Sequence, residues 1–206
     1  MRSRRGSHGW RTASQAGTDH RADLYPSTRG PCPSARGPSR ACETAPMIRT
    51  ATPDDIPVIH AMVRELAEYE KAPDEAKASR QQLHEALFGD RPAAFAHLAE
   101  EAGQPVGFAL WFLNFSTWRG VHGIYLEDLY VRPGARGGGH GKALLTELAR
   151  ICVERGYERL EWSVLNWNRP SIEFYEALGA RPQDEWTAYR LTDGALRELG
   201  EPGSGD

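Results

Sequence analysis

Residues 129–149, LYVRPGARGGGHGKALLTELA, set an arginine and three consecutive glycines between a strand-like apolar run and a helix-like one. A strand that turns through glycines into a helix leaves the first helical amides without acceptors, at the positive end of the dipole. Such a turn binds anions, phosphates above all. Spacing narrows which phosphate. A Walker loop needs a glycine five residues before Gly141 and Ser or Thr after Lys142, but those positions hold Arg136 and Ala143. A dinucleotide fingerprint opening at Gly137 or Gly139 needs a further glycine where Lys142 or Leu144 stands. Both fail. What fits is Arg-x-x-Gly-x-Gly, formed by Arg136, Gly139 and Gly141 behind a strand reading EDLYV. Glu127 and Asp128 adjoin on that strand, so strict alternation points them to opposite faces and only one lines a groove. Neither the three cysteines, Cys32, Cys42 and Cys152, nor the histidines have ligand-like spacing, and no metal is expected.

The elements that must position these residues begin at Met47. MIRT reads as a short strand; Thr52 then serves as N-cap, Pro53 as first helical residue and Asp55 closes a capping box. Ile56, Ile59, Val63 and Leu66 recur at helical spacing through IPVIHAMVRELAEYE. Ser79 caps a second helix that ends at Gly89. Three strands are expected in AAFAHLAEE, PVGFALWFLNF and VHGIYLEDLYV, paired as an antiparallel meander. A helix from about Gly138 to Arg155, a strand in RLEWSVL, a helix opening at Pro170 and ended by Gly179, and a closing strand in WTAYRLT complete the order. This predicts a single α/β domain with a mixed, α+β sheet, not an alternating doubly wound one.

Composition sets the outer limits. Residues 1–46 contain Leu24 as their one Leu, Ile, Val or Phe, so this segment cannot build a core. Its eight arginines against three acids give +5; the whole chain is −3, so residues 47–206 carry −8. A disordered extension over 1–46, or sequence upstream of a true start at Met47, a domain over 47–200 and a flexible tail over 201–206 are expected. The acidic domain argues against nucleic acid as a partner. There is no apolar run long enough for a membrane span, and a cytoplasmic protein is expected.

Beyond the glycine loop, several separated stretches carry a resemblance: IRTATPDD, ELAEYEKAPDE, STWRG, YLEDLYV, RGGGHGKALL and NWNRPSIEFYEALGA. Over nearly the whole domain the chain resembles the GNAT superfamily of N-acetyltransferases, and within it the spermidine/spermine and thialysine N-acetyltransferase group. The resemblance implies a central sheet that splays at the cofactor and is flanked by helices, acetyl-CoA as co-substrate, a small primary amine as acceptor and a homodimer. It assigns the backbone of Leu129, Tyr130 and Val131 to the acetyl and pantetheine part, and Arg136, Gly137, Gly138, Gly139, His140, Gly141 and Lys142 to the pyrophosphate. Asn168, Pro170 and Ser171 are further cofactor contacts. Tyr175 is the implied acid that protonates the departing thiolate; a phenol, with a reference pKa of about 10 against about 8.5 for a thiol, suits that step. From the residues alone, Tyr175 beside Phe174 reads first as core packing, and only the resemblance assigns it the acid role.

For the amine, the resemblance assigns substrate contact to Tyr69, Glu70 and Glu127, with Glu127 also placed to take a proton through water. Glu185 is the candidate for a further substrate carboxylate, although QDEWTAYRL departs there from the polyamine enzymes' paired-acid, Gly, Trp pattern. STWRG and VLNWN are more similar to the thialysine group, whose substrates are short diamines or lysine analogues. Trp111, Trp118, Trp162, Trp167 and Trp186 are read first as structure, and only second as cation–π surfaces. A protein or peptide acceptor, and a non-catalytic acyl-CoA sensor, stand as alternatives.

Overall fold

The structure is a computed structural model that describes residues 46–201. Residues 1–45 and 202–206 lie outside the described residues, and with them nearly all of the expected N-terminal extension and C-terminal tail. Five strands form one sheet in chain order: β1 (Met47–Thr50), β2 (Phe95–Glu101), β3 (Gln104–Ser116), β4 (Val121–Val131) and β5 (Leu160–Trp162). Neighbours from β1 to β4 are antiparallel, and β5 runs parallel to β4. The helices are α1 (Ile56–Tyr69), α2 (Arg80–Phe88), α3 (His140–Arg155), α4 (Arg169–Ala177) and α5 (Asp193–Gly200). A parallel neighbour requires a crossover, which α3 supplies between β4 and β5.

Side-chain alternation gives the sheet two buried faces. On one, Ala96, Leu98, Phe108, Leu110 and Tyr130 pack with Ile56, Ile59 and Met62 of α1 and Leu87 of α2. On the other, α3 lays the buried Leu144, Leu148 and Ile151 over β2, β3 and β4. The start of α1 is set by its sequence. Pro53 opens a short 3-10 turn (Pro53–Asp55) that runs into the helix, and the Asp55 carboxylate accepts from the Thr52 amide at 2.7 Å. Arg49 of β1 donates to both Asp55 oxygens at 2.7 and 2.8 Å and to Glu100 of β2 at 2.6 Å, so one guanidinium joins two strands to the helix entry. That guanidinium holds the Asp55 carboxyl below its usual range. Ser79 caps α2 as expected, accepting from the Gln82 amide at 3.2 Å while Gln82 accepts from the Ser79 amide at 2.8 Å.

The C-terminal end differs from expectation. Strand β5 is confined to three residues, WTAYRLT forms no strand, and α5 follows where none was expected. Trp186 and Tyr189, whose odd spacing would set them on opposite faces of a strand, are 71% and 94% exposed. With apolar residues on both sides and no strand beside it among the described residues, the segment has no single face to bury.

Beneath α3, His97 is 2% exposed and its Nδ1 accepts from Trp111 Nε1 at 3.1 Å. Burial pushes the imidazole down to about 4, with nearby Glu147 opposing and Arg150 reinforcing the shift. A buried neutral histidine that must charge makes the unfolded chain bind the proton first. Stability is therefore present above pH about 6.5 and is lost progressively as pH falls toward 4, by up to about 3 kcal/mol. Urea unfolding followed across pH 7 to 4 should show this loss, and His97→Gln should flatten it.

Candidate active site

The site opens on β4. Leu110 pairs with Asp128 and Trp111 with Leu126, so Glu127 is an extra residue bulged from the β3–β4 ladder. On its other edge β4 pairs with β5 only from Ile124 to Leu126. From Glu127 to Val131 no strand lies beside that edge among the described residues, because β5 ends at Trp162, and this opening matches the splay that the resemblance implies. The Arg132 amide donates across to Val106 of β3 at 2.9 Å. Alternation then turns the backbone groups of Tyr130 toward β3 and those of Leu129 and Val131 toward the opening. Arg136 folds back over it, donating from Nε to the Val131 carbonyl at 3.0 Å. Its guanidinium lies 4.9 Å from the Tyr69 ring centre and 5.9 Å from that of Tyr130.

The glycine turn continues from there. Gly137 and Gly139 have φ of 87° and 80°, the left-handed region that side chains rarely adopt. Gly139 is the N-cap of α3 and provides no side-chain cap, so the amides of the first helical turn have no acceptor within the helix. A Cβ on Gly137 would meet nothing within 4 Å, whereas one on Gly138 would come within 3.1 Å of the His140 ring. His140 is 5% exposed, and its Nδ1 has no hydrogen-bond partner among the described residues. Gly141 lies against Phe174 of α4 and Val131, and Lys142 is exposed. An uncapped helix end, open glycines and a buried imidazole nitrogen lacking a partner fit a bound diphosphate.

Across the opening, α4 starts at Asn168, which is 6% exposed. Its Oδ1 accepts from the Ser171 amide at 3.4 Å and from the Tyr69 hydroxyl at 3.0 Å, fastening the end of α1 to the start of α4. Pro170 sits in the first turn. Asn168, Ser171 and Tyr175 recur at helical spacing, three and four residues apart, and so share a face. The Tyr175 ring lies 5.0 Å from that of Trp162 and 5.3 Å from that of Phe174. Burial, and then the Glu70 and Tyr69 charges, push its hydroxyl up to about 12. At neutral pH it holds its proton.

The carboxylates converge on the same place. Asp128 shares a face with Leu110 and Tyr130, the face under α1. Burial, then Glu127 and Glu70, push it up to about 6. Burial also raises Glu70. The bulge thus interrupts the alternation by which only one of Glu127 and Asp128 would matter: Glu127 is exposed at the bulge while Asp128 turns in toward Glu70. The signal for Asp128 in the sequence was its adjacency to another acid on an otherwise apolar strand; nothing local marks the bulge. Glu185 is not brought into the group. It lies in the exposed stretch after α4, and no hydrogen bond or ion pair joins it to the others. Of the tryptophans, Trp111 is core, Trp118 and Trp186 are exposed, and Trp162 and Trp167 border the site. Among the described residues no group of three His, Cys, Asp or Glu side chains could hold a metal ion, and no helix is long and apolar enough to cross a membrane.

A β4–β5 opening above a glycine turn into a helix is the architecture of an acetyltransferase, and the chain belongs to the acetyltransferase (GNAT) family, whose profile matches residues 59–180. A thialysine N-epsilon-acetyltransferase of Bos taurus is 38% identical over 164 residues, covering 74% of this chain and 96% of the relative. The L-ornithine N5-acetyltransferase of Arabidopsis thaliana is 30% identical over 221 residues, covering 82% of this chain and 97% of that enzyme. Among solved structures, an integron cassette protein from the mobile metagenome of V. cholerae superposes with a TM-score of 0.66 at 27% identity, covering 77% of this chain and 99% of that one. The protein is thus an N-acetyltransferase of the GNAT type, close to the thialysine N-epsilon-acetyltransferases.

Proposed function

We propose that the protein transfers the acetyl group of acetyl-CoA directly to a primary amine of a small diamine, polyamine or lysine analogue. The observation that carries this is the gathering of Tyr175, Glu70 and Asp128 at one end of the β4–β5 opening, with the uncapped α3 N-terminus at the other. Bound there, acetyl-CoA would supply an acyl group activated as a thioester. The amides of Gly137, Gly138, Gly139, His140, Gly141 and Lys142 hold the diphosphate, with Arg136 beside them. The backbone groups of Leu129 and Val131 on the open edge, next to Tyr130, align the pantetheine and the thioester oxygen, where donors count most as charge develops. Asn168, Pro170 and Ser171 complete the cofactor wall.

The acids receive a cationic amine. Tyr69, Glu70 and Glu127 bind the ammonium, and the carboxylate group around Asp128 takes its proton, because only the free amine attacks. Tyr175 then gives its proton to the leaving sulfur. The names of the thialysine and ornithine relatives support a short amine. Residues 47–200 form the transferase domain in this proposal, in a cytoplasmic homodimer; the exposed Trp118, Trp186, Tyr189 and Leu199 support a second copy.

Thiol release from acetyl-CoA, measured with thialysine, ornithine, diamines, polyamines and lysine peptides side by side, tests the function. Turnover is expected with the small amines. Turnover with peptides alone would make the acceptor a protein, and acetyl-CoA binding without any turnover would make the chain a sensor. The loop yields its own prediction. Gly139→Val forces a branched residue into a left-handed conformation, at a cost of about 1–2 kcal/mol, and narrows the approach to the α3 amides. Calorimetry should show acetyl-CoA affinity falling at least about tenfold, the equivalent of about 1.4 kcal/mol.

A further inference from the structure

Helix α1 ends at Tyr69, and the chain leaves it through Glu70 and Lys71. Lys71 has φ of 63°, and with Ala102 and Asp193 it is one of three non-glycine residues at positive φ among those described. That conformation is unfavourable for lysine and is held by the turn around it. The Lys71 amide donates to Glu68 at 3.1 Å and the Ala72 amide to Ala67 at 2.9 Å. The turn therefore fixes where the Lys71 side chain departs. Its ammonium lies 5.0 Å from the centre of the Trp167 ring, which is in turn 6.0 Å from the Tyr69 ring. Trp167 precedes Asn168, the residue that accepts from the Tyr69 hydroxyl, so this ammonium stands at the rim of the amine site.

Its neighbourhood makes the placement informative. Glu68 and Glu70 both precede Lys71 within three residues, yet among the described residues no carboxylate lies within ion-pair distance of its Nζ. The indole face holds the cation through its quadrupole and leaves its N–H donors uncommitted to any acid. Arg136, the other cation near Tyr69, is tied to the Val131 carbonyl on the cofactor side. The site thus has acids where an amine reacts and, at its rim, a lysine cation that rests on an indole face with no acid partner among the described residues. A diamine or polyamine whose far end reaches that rim sets a second ammonium against Lys71. An amino acid with a side-chain amine would set its α-carboxylate there instead.

We propose that Lys71, held on Trp167, is a specificity-determining residue that pairs with the α-carboxylate of an amino-acid substrate and disfavours diamines of the same length. The proposal rests on the acetyl-transfer function proposed above. Matched substrates differing only by the carboxylate test it: L-ornithine against 1,4-diaminobutane, and L-lysine against 1,5-diaminopentane. The wild type should show the higher kcat/KM for the amino acid of each pair. Lys71→Asn, chosen because Asn tolerates the left-handed conformation, should lower that ratio about five- to tenfold through KM for the amino acid. Lys71→Arg should retain the preference and Lys71→Glu should reverse it, with acetyl-CoA affinity the same in all four proteins. A ratio unchanged in Lys71→Asn and Lys71→Glu would overturn the proposal while leaving acetyl transfer intact. If the wild type turns over neither member of either pair, acetyl transfer to these amines fails, and the role of Lys71 fails with it.

Discussion

Tyr175→Phe should lower kcat for acetyl transfer by about 10²- to 10³-fold, the range lost when a positioned general acid is removed. The substitution is clean because the ring packs between Trp162 and Phe174 and only the hydroxyl is deleted. Acetyl-CoA affinity and the KM for the amine should stay close to wild type, since the proton is given in the transition state and not in the bound complex. With its hydroxyl pushed up to about 12, Tyr175 carries the proton throughout the physiological range and contributes no activity limb there. A kcat unchanged in the phenylalanine variant would return Tyr175 to a packing role.

Asp128→Asn carries the second large effect, and it acts in two directions. As a proton acceptor pushed up to about 6, Asp128 works in its ionised form, so the rate should fall as pH drops through 6. In the asparagine variant that acid limb should vanish and kcat/KM at neutral pH should fall about 100-fold. Stability moves the other way. The folded-state carboxyl titrates above its ordinary value of about 4, so its favourable protonated form is present below that value and is lost as pH rises through 6. At neutral pH the fold keeps a charge that is buried and also crowded by Glu127 and Glu70. Removing it should stabilise the protein by about 1–3 kcal/mol. Thermal unfolding at pH 7.5 and pH 4 should show a gain at the first and little change at the second. A variant that loses stability at neutral pH would contradict the crowding of these three acids.

Local chemistry made much of the fold legible. The Thr52, Pro53 and Asp55 entry to α1 and the Ser79 cap of α2 depend on neighbours within three or four residues, and both stand as read. The glycine turn was legible because left-handed φ leaves few other choices at Gly137 and Gly139. What escaped reading depends on distant partners. The bulge at Glu127 is set by how β4 registers on β3, and it alone turns Asp128 inward. The Tyr69–Asn168 bond joins residues 99 apart, and no local pattern announces it. The choice between Phe174 and Tyr175 also came from resemblance. The structure puts Phe174 beside Gly141 and Tyr175 within the field of Glu70, a division that spacing on one helix does not reveal. The C-terminal WTAYRLT has strand-forming residues but no edge to join among those described, so propensity misled where pairing decides.

One measurement bears most directly on acetyl transfer at the β4–β5 opening. The protein is mixed in excess with isotope-labelled acetyl-CoA, first alone and then with thialysine or ornithine, and the label is followed by mass spectrometry beside free thiol. Direct transfer predicts that no label remains on the protein without amine, and that with amine each thiol released is matched by one acetylated amine. Label retained on the protein, or acetyl-CoA bound with no thiol released by any small amine, would contradict it.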